Sequence, residues 1–415
     1  MPDQPRRHVI DVIAGDGIGQ EVVPAAIRCL DAVSARHGFG IVWRDHDWGS
    51  DRYRSDGRMM PADGLDQLAD GDAIFLGAVG APGVPDHVTL WGLLIPIRRA
   101  FLQYVNLRPV RILPGVRSPL ADPGGLDVVI VRENVEGEYC EAGGRIYAGR
   151  PEECAIQEAV FTRTGIERVA RFAAELAADR AGLVVSATKS NGMIHSMPFW
   201  DEVVSEVIAG YGGVHIEHVL IDALAARAVL KPGSLDVIVA SNLFGDILSD
   251  LIAALAGSIG LAPSANLNPD RDHPSMFEPV HGSAPDIAGQ GIANPVGQIW
   301  AGAMMLDHLG ETAAAADLVA AFESVLAEGT RTPDLGGSAG TAEFADAVLG
   351  RLAPTPVSAY TVPTPAHRDQ KGPDWTRPQP PNHGRTGSLL GSSAEQPPKA
   401  PHRMQGERNV ENLTE

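Results

Sequence analysis

The sequence predicts an α/β protein with a largely parallel sheet, followed by a disordered C-terminal tail. Short runs rich in valine and isoleucine fit buried strands, and helical patterns lie between them. Such regular alternation is typical of parallel sheets whose crossovers are helices. The strand runs are 8–14, 72–79, 126–134, 182–189 and 235–242. The helical patterns are 18–36, 163–180, 197–209 and 243–256.

Two segments depart from this alternation. Segment 139–161 interrupts the alternation of strands and helices. It predicts an extended hairpin, an arm suited to pairing with another subunit. From 351 to 415 the chain holds 11 of its 32 prolines and shows no sustained periodicity. That composition predicts a disordered tail.

Composition excludes several classes of function. The 415 residues carry a net charge of −19, which argues against general binding of nucleic acid or of anionic membranes. Cys29, Cys140 and Cys154 have neither disulfide-framework nor zinc-module spacing, so they indicate a reducing, cytoplasmic location. No apolar run has the length of a secretory or membrane-spanning segment.

A glycine-rich turn follows the first strand run and opens a helix. Gly15, Gly17 and Gly19 resemble a dinucleotide-binding loop, but Gln20 stands where that fingerprint requires its last glycine. The turn therefore fits either a tight strand-to-helix connection or a helix N-terminus that faces a phosphate or a substrate.

Two aspartates in the second half of the chain are candidate metal ligands. Asp246 and Asp250 are four residues apart after a buried strand, so they share one helix face. Hard oxygen ligands suit Mg²⁺ or Mn²⁺, although acids in a first helical turn are also favoured by the helix dipole. Asp222, at another strand end, is a candidate third carboxylate.

Three arginines and two further polar side chains are candidates for substrate binding and proton transfer. Arg98 and Arg108 flank a predicted helix end and Arg132 heads the segment RENVEGEY, so they either bind carboxylates or are surface charges. Lys189 ends an apolar strand and fits either a surface position or a proton relay. Tyr139 is a candidate proton donor with the same ambiguity.

The loop 277–289 combines prolines, glycines and polar side chains, and ordered loops of this length are often functional. Asp286 in this loop is a candidate acceptor for ribose hydroxyl groups. Its carboxylate would repel a 2′-phosphate, which favours NAD over NADP.

Together these segments resemble the β-decarboxylating dehydrogenase family, which acts on isocitrate, isopropylmalate, tartrate and D-malate. The resemblance covers residues 8–350 and depends on six motifs in order: GDGIG, NLRPV, VRENVEGEY, ATKSNG, ASNLFGDILSD and EPVHGSAPDIAG. Segments 89–94, 108–111, 196–202 and 264–269 look most like the D-malate and tartrate dehydrogenases.

The resemblance implies a two-domain isopropylmalate-dehydrogenase-like fold, not a Rossmann fold, with the active-site cleft between the domains. Residues 1–106 and 260–350 would form a large domain on the cofactor side. Residues 107–259 would form the second domain, with the arm and a homodimer interface, and 351–415 the tail.

Residue roles are also implied by the resemblance, position by position. Asp246 and Asp250 match metal ligands, with Asp222 reaching into the partner subunit's site. Tyr139 and Lys189 match the acid–base pair, and Lys189 acts across the dimer interface. The residues that match substrate-binding arginines are Arg98, Arg108 and Arg132. The residues that match positions around the cofactor are Ile18, Asn191, His281, Gly282, Ser283, Ala284, Asp286, Ile287 and Asn294. The implied cofactors are NAD and Mg²⁺ or Mn²⁺, with K⁺ as a further candidate.

The implied reaction is oxidative decarboxylation of a small 2-hydroxy dicarboxylic acid. Isocitrate enzymes carry Ser and Asn where this chain has Gly92 and Leu94, so a third carboxylate would lie buried without partners. Trp91 should crowd the pocket and favour a small C3 substituent. We therefore expect D-malate to be converted to pyruvate and CO₂, and tartrate also to react.

Three alternatives remain open. Leu94 is compatible with an isopropyl group, so a 3-isopropylmalate dehydrogenase of leucine biosynthesis is distinguished only by substrate preference. A catalytically inactive regulatory subunit would have lost metal or acid–base residues, which this chain keeps. An interaction protein that depends on the tail would change turnover or oligomer size when 352–415 are deleted.

Overall fold

A ten-stranded sheet runs through the part of the chain that the computed structural model describes, residues 6–353. A separate hairpin, β6–β7, forms a second, two-stranded sheet. The strands are β1 Arg7–Gly15, β2 Gly40–Asp45, β3 Ala73–Ala78, β4 Val105–Arg111, β5 Asp127–Glu133, β6 Gly143–Ile146, β7 Cys154–Gln157, β8 Leu183–Thr188, β9 His215–Leu220, β10 Val237–Ala240, β11 Pro263–Leu267 and β12 Ser275–Pro279. The predicted α/β class is confirmed, and each of the five predicted strand runs overlaps a strand.

Helices pack against this sheet in two groups. The first group, α1 with α10, α11 and α12, contacts β3, β11 and β12, and the second, α6 with α7, contacts β5, β8 and β10. The helices are α1 Gly19–His37, α2 Ser50–Asp56, α3 Gly64–Leu68, α4 Asp86–Thr89, α5 Ile95–Ala100, α6 Arg163–Ala178, α7 Ser196–Ile208, α8 Ile221–Leu230, α9 Asn242–Leu255, α10 Val296–His308, α11 Thr312–Ala327 and α12 Thr341–Leu352. A π-helical turn, Leu90–Leu94, leads directly into α5. The four predicted helical patterns correspond to α1, α6, α7 and α9.

The sheet is parallel at both sides and antiparallel in its centre. Its strand order is β2-β1-β3-β12-β11-β4-β5-β10-β8-β9. The pairs β12/β11, β11/β4 and β4/β5 are antiparallel, and the other pairs are parallel. Strands from both ends of the chain therefore lie on one side of β4 and strands from its middle on the other. The predicted division into 1–106 with 260–350 and 107–259 is compatible with this order and stays a prediction.

Strand β3 shows why the apolar runs were visible in the sequence. Phe75 packs into the main core, whereas Ile74 and Leu76 pack into a second core on the opposite face. A strand buried on both faces has a continuous apolar run because neither face meets water. Helix α12 continues to Leu352, which is buried, so the tail cannot begin at 351 as the sequence predicted. The remainder of the predicted tail lies outside the described residues.

The hairpin β6–β7 confirms the extended arm predicted for 139–161. All eight of its strand residues are exposed. Ile146, Tyr147 and Ile156 on the arm are 44%, 59% and 47% exposed, which is unusual for large apolar side chains. Pairing of this arm with another subunit stays a prediction. Between residues 6 and 353, none of the helices combines the length and the apolar character that crossing a membrane requires.

Candidate active site

The glycine turn after β1 is a close-packed connection. Gly15 and Gly17 have φ of +70° and +54°, and a Cβ on either would lie 2.0 Å from a carbonyl oxygen, of Ala78 and Ser283 respectively. The Ser283 carbonyl also accepts a hydrogen bond from Ile18 N at 2.9 Å. The tight-turn interpretation therefore accounts for these glycines, and the same turn holds the loop that contains Ser283.

Two of the candidate arginines lie on one face of the sheet. Asn106 and Arg108 are two residues apart along β4, and Asn106 pairs directly with Arg132 of antiparallel β5. The period of two along a strand turns these three side chains to the same side. Arg98 approaches from α5, and all three arginines are less than 10% exposed. Arg98 lies in the last turn of α5, which ends at Ala100, and Arg108 lies beyond that end, in β4, so the two arginines flank a helix end as predicted.

Helix α9 directs two carboxylates at these arginines. Asp246 Oδ1 accepts hydrogen bonds from Arg132 Nη1 at 2.5 Å and from Arg108 Nη1 at 3.2 Å. Asp250 Oδ1 lies 3.5 Å from Arg108 Nη1, and Tyr139 Oη donates to Asp246 Oδ2 at 3.0 Å. The spacing of Asp246 and Asp250 predicts that they share one helix face, and both carboxylates contact the guanidinium group of Arg108.

Burial and charge oppose one another within this cluster. Burial would raise the pKa of Asp246, but Arg132 and Arg108 outweigh it and hold the pKa below its usual range. For Asp250 burial dominates, opposed by Arg108 and reinforced by the charge of Asp246, so its pKa is raised. Burial also raises the pKa of Tyr139, with Asp246 adding to the effect. The phenol is therefore protonated at neutral pH and able to donate.

Lys189 and Asp222 form a second cluster. Lys189 follows β8, Asp222 is in the first turn of α8, and Lys189 Nζ donates to Asp222 Oδ1 at 2.5 Å. That hydrogen bond lowers the pKa of the exposed Asp222 carboxyl. Asn191, in the turn that follows β8, is exposed. Within residues 6–353, no third His, Cys, Asp or Glu joins Asp246 and Asp250 in a group that could hold a metal ion.

A cavity of about 610 Å³ opens beside the loop that follows β3. Leu94, Gly282 and Ser283, all predicted site residues, line it. Trp91 is not among its lining residues. The complete lining is Val79, Gly80, Ala81, Pro82, Gly83, Val84, Asp86, Thr89, Leu90, Leu94, Gly282, Ser283 and Pro285.

Several other predicted cofactor residues lie on the loop that contributes Gly282 and Ser283 to this cavity, or pack against that loop. Ile18, Ala284 and Ile287 pack in one small apolar cluster, and Ala284 has a left-handed φ of +40°. Such backbone strain in a non-glycine residue is concentrated at functional sites. His281 Nε2 is buried without a hydrogen-bond partner among the described residues, and burial lowers the pKa of this ring.

The last two predicted cofactor residues differ in their surroundings. Asp286 is exposed to solvent, with its carboxylate free to approach a ligand. Asn294 is buried, and its Nδ2 donates to Asp334 Oδ2 at 3.0 Å.

Glu138 is a site residue that the sequence analysis missed. Its carboxylate accepts hydrogen bonds from Ser241 Oγ at 2.7 Å and from Leu243 N at 3.1 Å, where α9 begins. A carboxylate there is favoured by the helix dipole and satisfies backbone donors. It therefore holds the helix that carries Asp246. In the sequence, the feature that could have identified Glu138 is its position directly before the candidate proton donor Tyr139.

A buried polar chain links two of the arginines and was also missed. Arg98 Nη2 and Asn266 Nδ2 both donate to Glu278 Oε1 at 2.8 Å. Asn106 Nδ2 donates to Asn266 Oδ1 at 2.9 Å, and Arg108 Nε donates to Asn106 Oδ1 at 2.6 Å. Because buried polar groups in such a chain are satisfied by one another, each arginine is held in one orientation.

Glu133, at the end of β5, should make stability depend on pH. Burial raises its pKa to about 7, although the backbone N–H of Glu136 opposes this. The folded state then binds a proton up to about pH 7 that the unfolded state releases near pH 4.5, so stability falls as pH rises through this window. Between about pH 5 and 8, the free energy of unfolding measured in urea should fall by about 1–3 kcal/mol more in wild type than in Glu133→Gln. Equal losses, with the exposed Glu328→Gln as control, would contradict this.

Comparison with known proteins identifies relatives along nearly all of the described chain. Residues 9–348 match the family model described as isocitrate/isopropylmalate dehydrogenase. The chain is 54% identical to "Probable tartrate dehydrogenase/decarboxylase" of Bacillus subtilis, across 83% of this chain and 97% of that protein. It is also 54% identical to the D-malate dehydrogenase (decarboxylating) of Escherichia coli, across 82% and 97%. The isocitrate dehydrogenase structure from Methylococcus capsulatus superposes with a TM-score of 0.76 at 35% identity, covering 83% of this chain and 99% of that one.

Proposed function

The chain belongs to the isocitrate/isopropylmalate dehydrogenase family, and we propose that it converts D-malate to pyruvate and CO₂ with reduction of NAD⁺, and also acts on tartrate. The observation that carries this proposal is the cluster of Arg98, Arg108 and Arg132, buried beside two carboxylates. Three buried guanidinium groups form a site for a small dicarboxylic acid, because each can grip a carboxylate through two donors. The relatives named for tartrate and D-malate support the substrate class.

Asp246 and Asp250 fit a divalent cation. Both present hard oxygen atoms on one helix face, and repulsion between them contributes to the raised pKa of Asp250. We assign the Mg²⁺ or Mn²⁺ site to these two residues together with Asp222 of the partner subunit. Bound there, the cation would act as a Lewis acid that stabilises negative charge on the substrate oxygens.

Two different side chains, Lys189 and Tyr139, carry out the two proton transfers of the proposed reaction. Arg98, Arg108 and Arg132 bind and orient the carboxylates of the substrate. Lys189 of the partner subunit accepts the proton of the 2-hydroxyl group while hydride leaves C2. Tyr139, protonated and held on Asp246, donates a proton to C3 after CO₂ has left.

The cavity beside β3 fits NAD. His281 Nε2, buried without a partner in residues 6–353, and the strained loop at Ala284 both suit a polar ligand that completes the site. The exposed Asp286 carboxylate would repel a 2′-phosphate and accept hydrogen bonds from ribose hydroxyls. NAD in this cavity would supply the hydride acceptor.

A homodimer with shared active sites accounts for the separation of Lys189 and Asp222 from Tyr139. Large apolar side chains near them in the chain are exposed as well: Ile194 after β8, Leu230 on α8 and Ile247 on α9, at 68%, 76% and 57%. Exposed apolar patches of this kind are typical of subunit interfaces.

Trp91→Ala should widen the substrate preference. Removing the indole makes room for a larger C3 substituent, so kcat/KM for 3-isopropylmalate relative to D-malate should rise about 10-fold or more. Trp91→Phe, which keeps aromatic bulk, should shift the ratio less. An unchanged ratio in a folded Trp91→Ala enzyme would remove Trp91 from the specificity argument.

The decisive experiment is a substrate panel. NADH formation would be followed with Mn²⁺ and K⁺ on D-malate, L-tartrate, 3-isopropylmalate and isocitrate, each with and without EDTA. The proposal requires the highest kcat/KM on D-malate or tartrate and loss of activity with EDTA. Preference for 3-isopropylmalate would overturn the substrate assignment only. Inactivity on all four acids would favour the regulatory subunit.

A further inference from the structure

Arg99 contacts both sides of the candidate substrate site. Its guanidinium group lies over the indole of Trp91, 5.0 Å from the ring centroid. Its Nη2 donates to the backbone carbonyl oxygen of Tyr139 at 3.0 Å, and its Nη1 lies 3.2 Å from Oε2 of Glu141. One side chain therefore joins the segment before α5 to the segment that carries the proposed proton donor.

The local backbone makes this arrangement possible. Trp91 lies in the π-helical turn Leu90–Leu94, and such turns re-aim side chains relative to a regular helix. The side chains of the adjacent residues Arg98 and Arg99 have different surroundings. Arg98 is buried and pairs with Glu278, whereas Arg99 is 30% exposed and reaches Tyr139. Adjacent helical residues point in different directions, so neither arginine can replace the other.

The chemistry requires a guanidinium group. Its Cζ lies over the Trp91 ring while Nη2 donates to the Tyr139 carbonyl. An ammonium group lacks the planar, delocalised charge that suits contact with an aromatic face, so a lysine at Arg99 could keep the hydrogen bond but would weaken the contact with the indole.

We propose that Arg99 is a positioning residue that fixes the proton donor Tyr139 and the specificity side chain Trp91 relative to one another. This inference rests on the proposed function of both residues. Tyr139 is held at its hydroxyl by Asp246 and at its carbonyl by Arg99, so losing one restraint displaces the phenol from the substrate. Small displacements of a catalytic group lower the rate more than they lower binding. The substrate itself remains held by the three buried arginines.

Arg99→Ala and Arg99→Lys test this, with Arg163→Ala as the matched control. Arg163 also stacks on an aromatic ring, that of Phe199 at 5.4 Å, and it has no assigned role at the site. Arg99→Ala should lower kcat on D-malate about 10-fold, with KM changed by less than about 2-fold. It should also lower the preference for D-malate over 3-isopropylmalate about 5- to 10-fold. Arg99→Lys should recover kcat and leave the preference low.

Fluorescence quenching by acrylamide gives a readout that does not need turnover. The contribution of Trp91, taken as the difference between wild type and Trp91→Phe, should become more accessible in Arg99→Ala. An active wild type whose folded Arg99→Ala variant keeps both kcat and substrate preference overturns this inference alone. A wild type that is inactive on all four acids of the panel overturns the proposed function, and this inference falls with it.

Discussion

Replacing Asp246 with asparagine should lower kcat/KM on D-malate about 1000-fold or more, because it removes a proposed metal ligand and several kcal/mol of charge stabilisation with it. Asp246 is also the acceptor for Tyr139 and the carboxylate nearest to Arg132, so the proposed proton donor loses its anchor as well. Affinity for Mn²⁺, measured by calorimetry, should fall in parallel with turnover.

Controls separate this effect from unfolding. Arg132 is 2% exposed, so loss of its partner carboxylate also costs stability. Asp250→Asn removes a more exposed ligand and should lose Mn²⁺ affinity with less change in the unfolding midpoint. Asp307→Asn, an exposed change on α10, should alter neither property. Turnover of Asp246→Asn within about 10-fold of wild type would contradict the metal assignment.

Mixing two inactive variants should restore activity. If the active sites are shared as proposed, Asp246→Asn and Lys189→Ala each damage a different half of the site, so a mixed dimer regains one intact site. Random reassociation of equal amounts should give about a quarter of wild-type activity, since half of the dimers are mixed and each has one working site. The measurement is NADH formation before and after co-refolding of the two variants.

Matched mixtures make this test selective. Asp246 and Asp250 lie on one helix, so mixing their two asparagine variants should restore nothing. Lys189→Ala mixed with Asp222→Asn should be equally silent, because those residues lie together in the second cluster. If mass spectrometry detects mixed dimers of Asp246→Asn and Lys189→Ala and activity stays at background, the shared-site assignment is wrong.

Strands with long apolar runs could be predicted from the sequence, whereas two strands that carry buried polar side chains could not. The runs that correspond to β1, β3, β5, β8 and β10 are rich in Val, Ile and other apolar residues. Strands β4 and β11 carry Asn106, Arg108 and Asn266, whose buried polar side chains interrupt the apolar pattern. These strands were not predicted because the polar residues that build the arginine cluster remove the apolar pattern by which a buried strand is recognised.

Local spacing predicted part of the site, and tertiary pairing determined the rest. Asp246 and Asp250 share a helix face by spacing alone, so their proximity was accessible from the sequence. The contact between Arg98 and Glu278 joins residues 180 positions apart, and no local pattern encodes it. The meeting of Arg108 with Arg132 depends on the register of β4 against β5. Resemblance to a family named both arginines as ligand residues, whereas only the register explains why they adjoin.

The arginine cluster has a thermodynamic consequence for how ligands enter the cleft. Its three guanidinium groups are matched by the carboxylates of Asp246, Asp250 and Glu278, so their formal charges cancel. A dicarboxylate arriving alone would leave the cleft anionic, and a divalent cation arriving alone would leave it cationic. Arriving together, the two preserve neutrality. We therefore expect positive cooperativity between cation and substrate, with each lowering the dissociation constant of the other by the same factor.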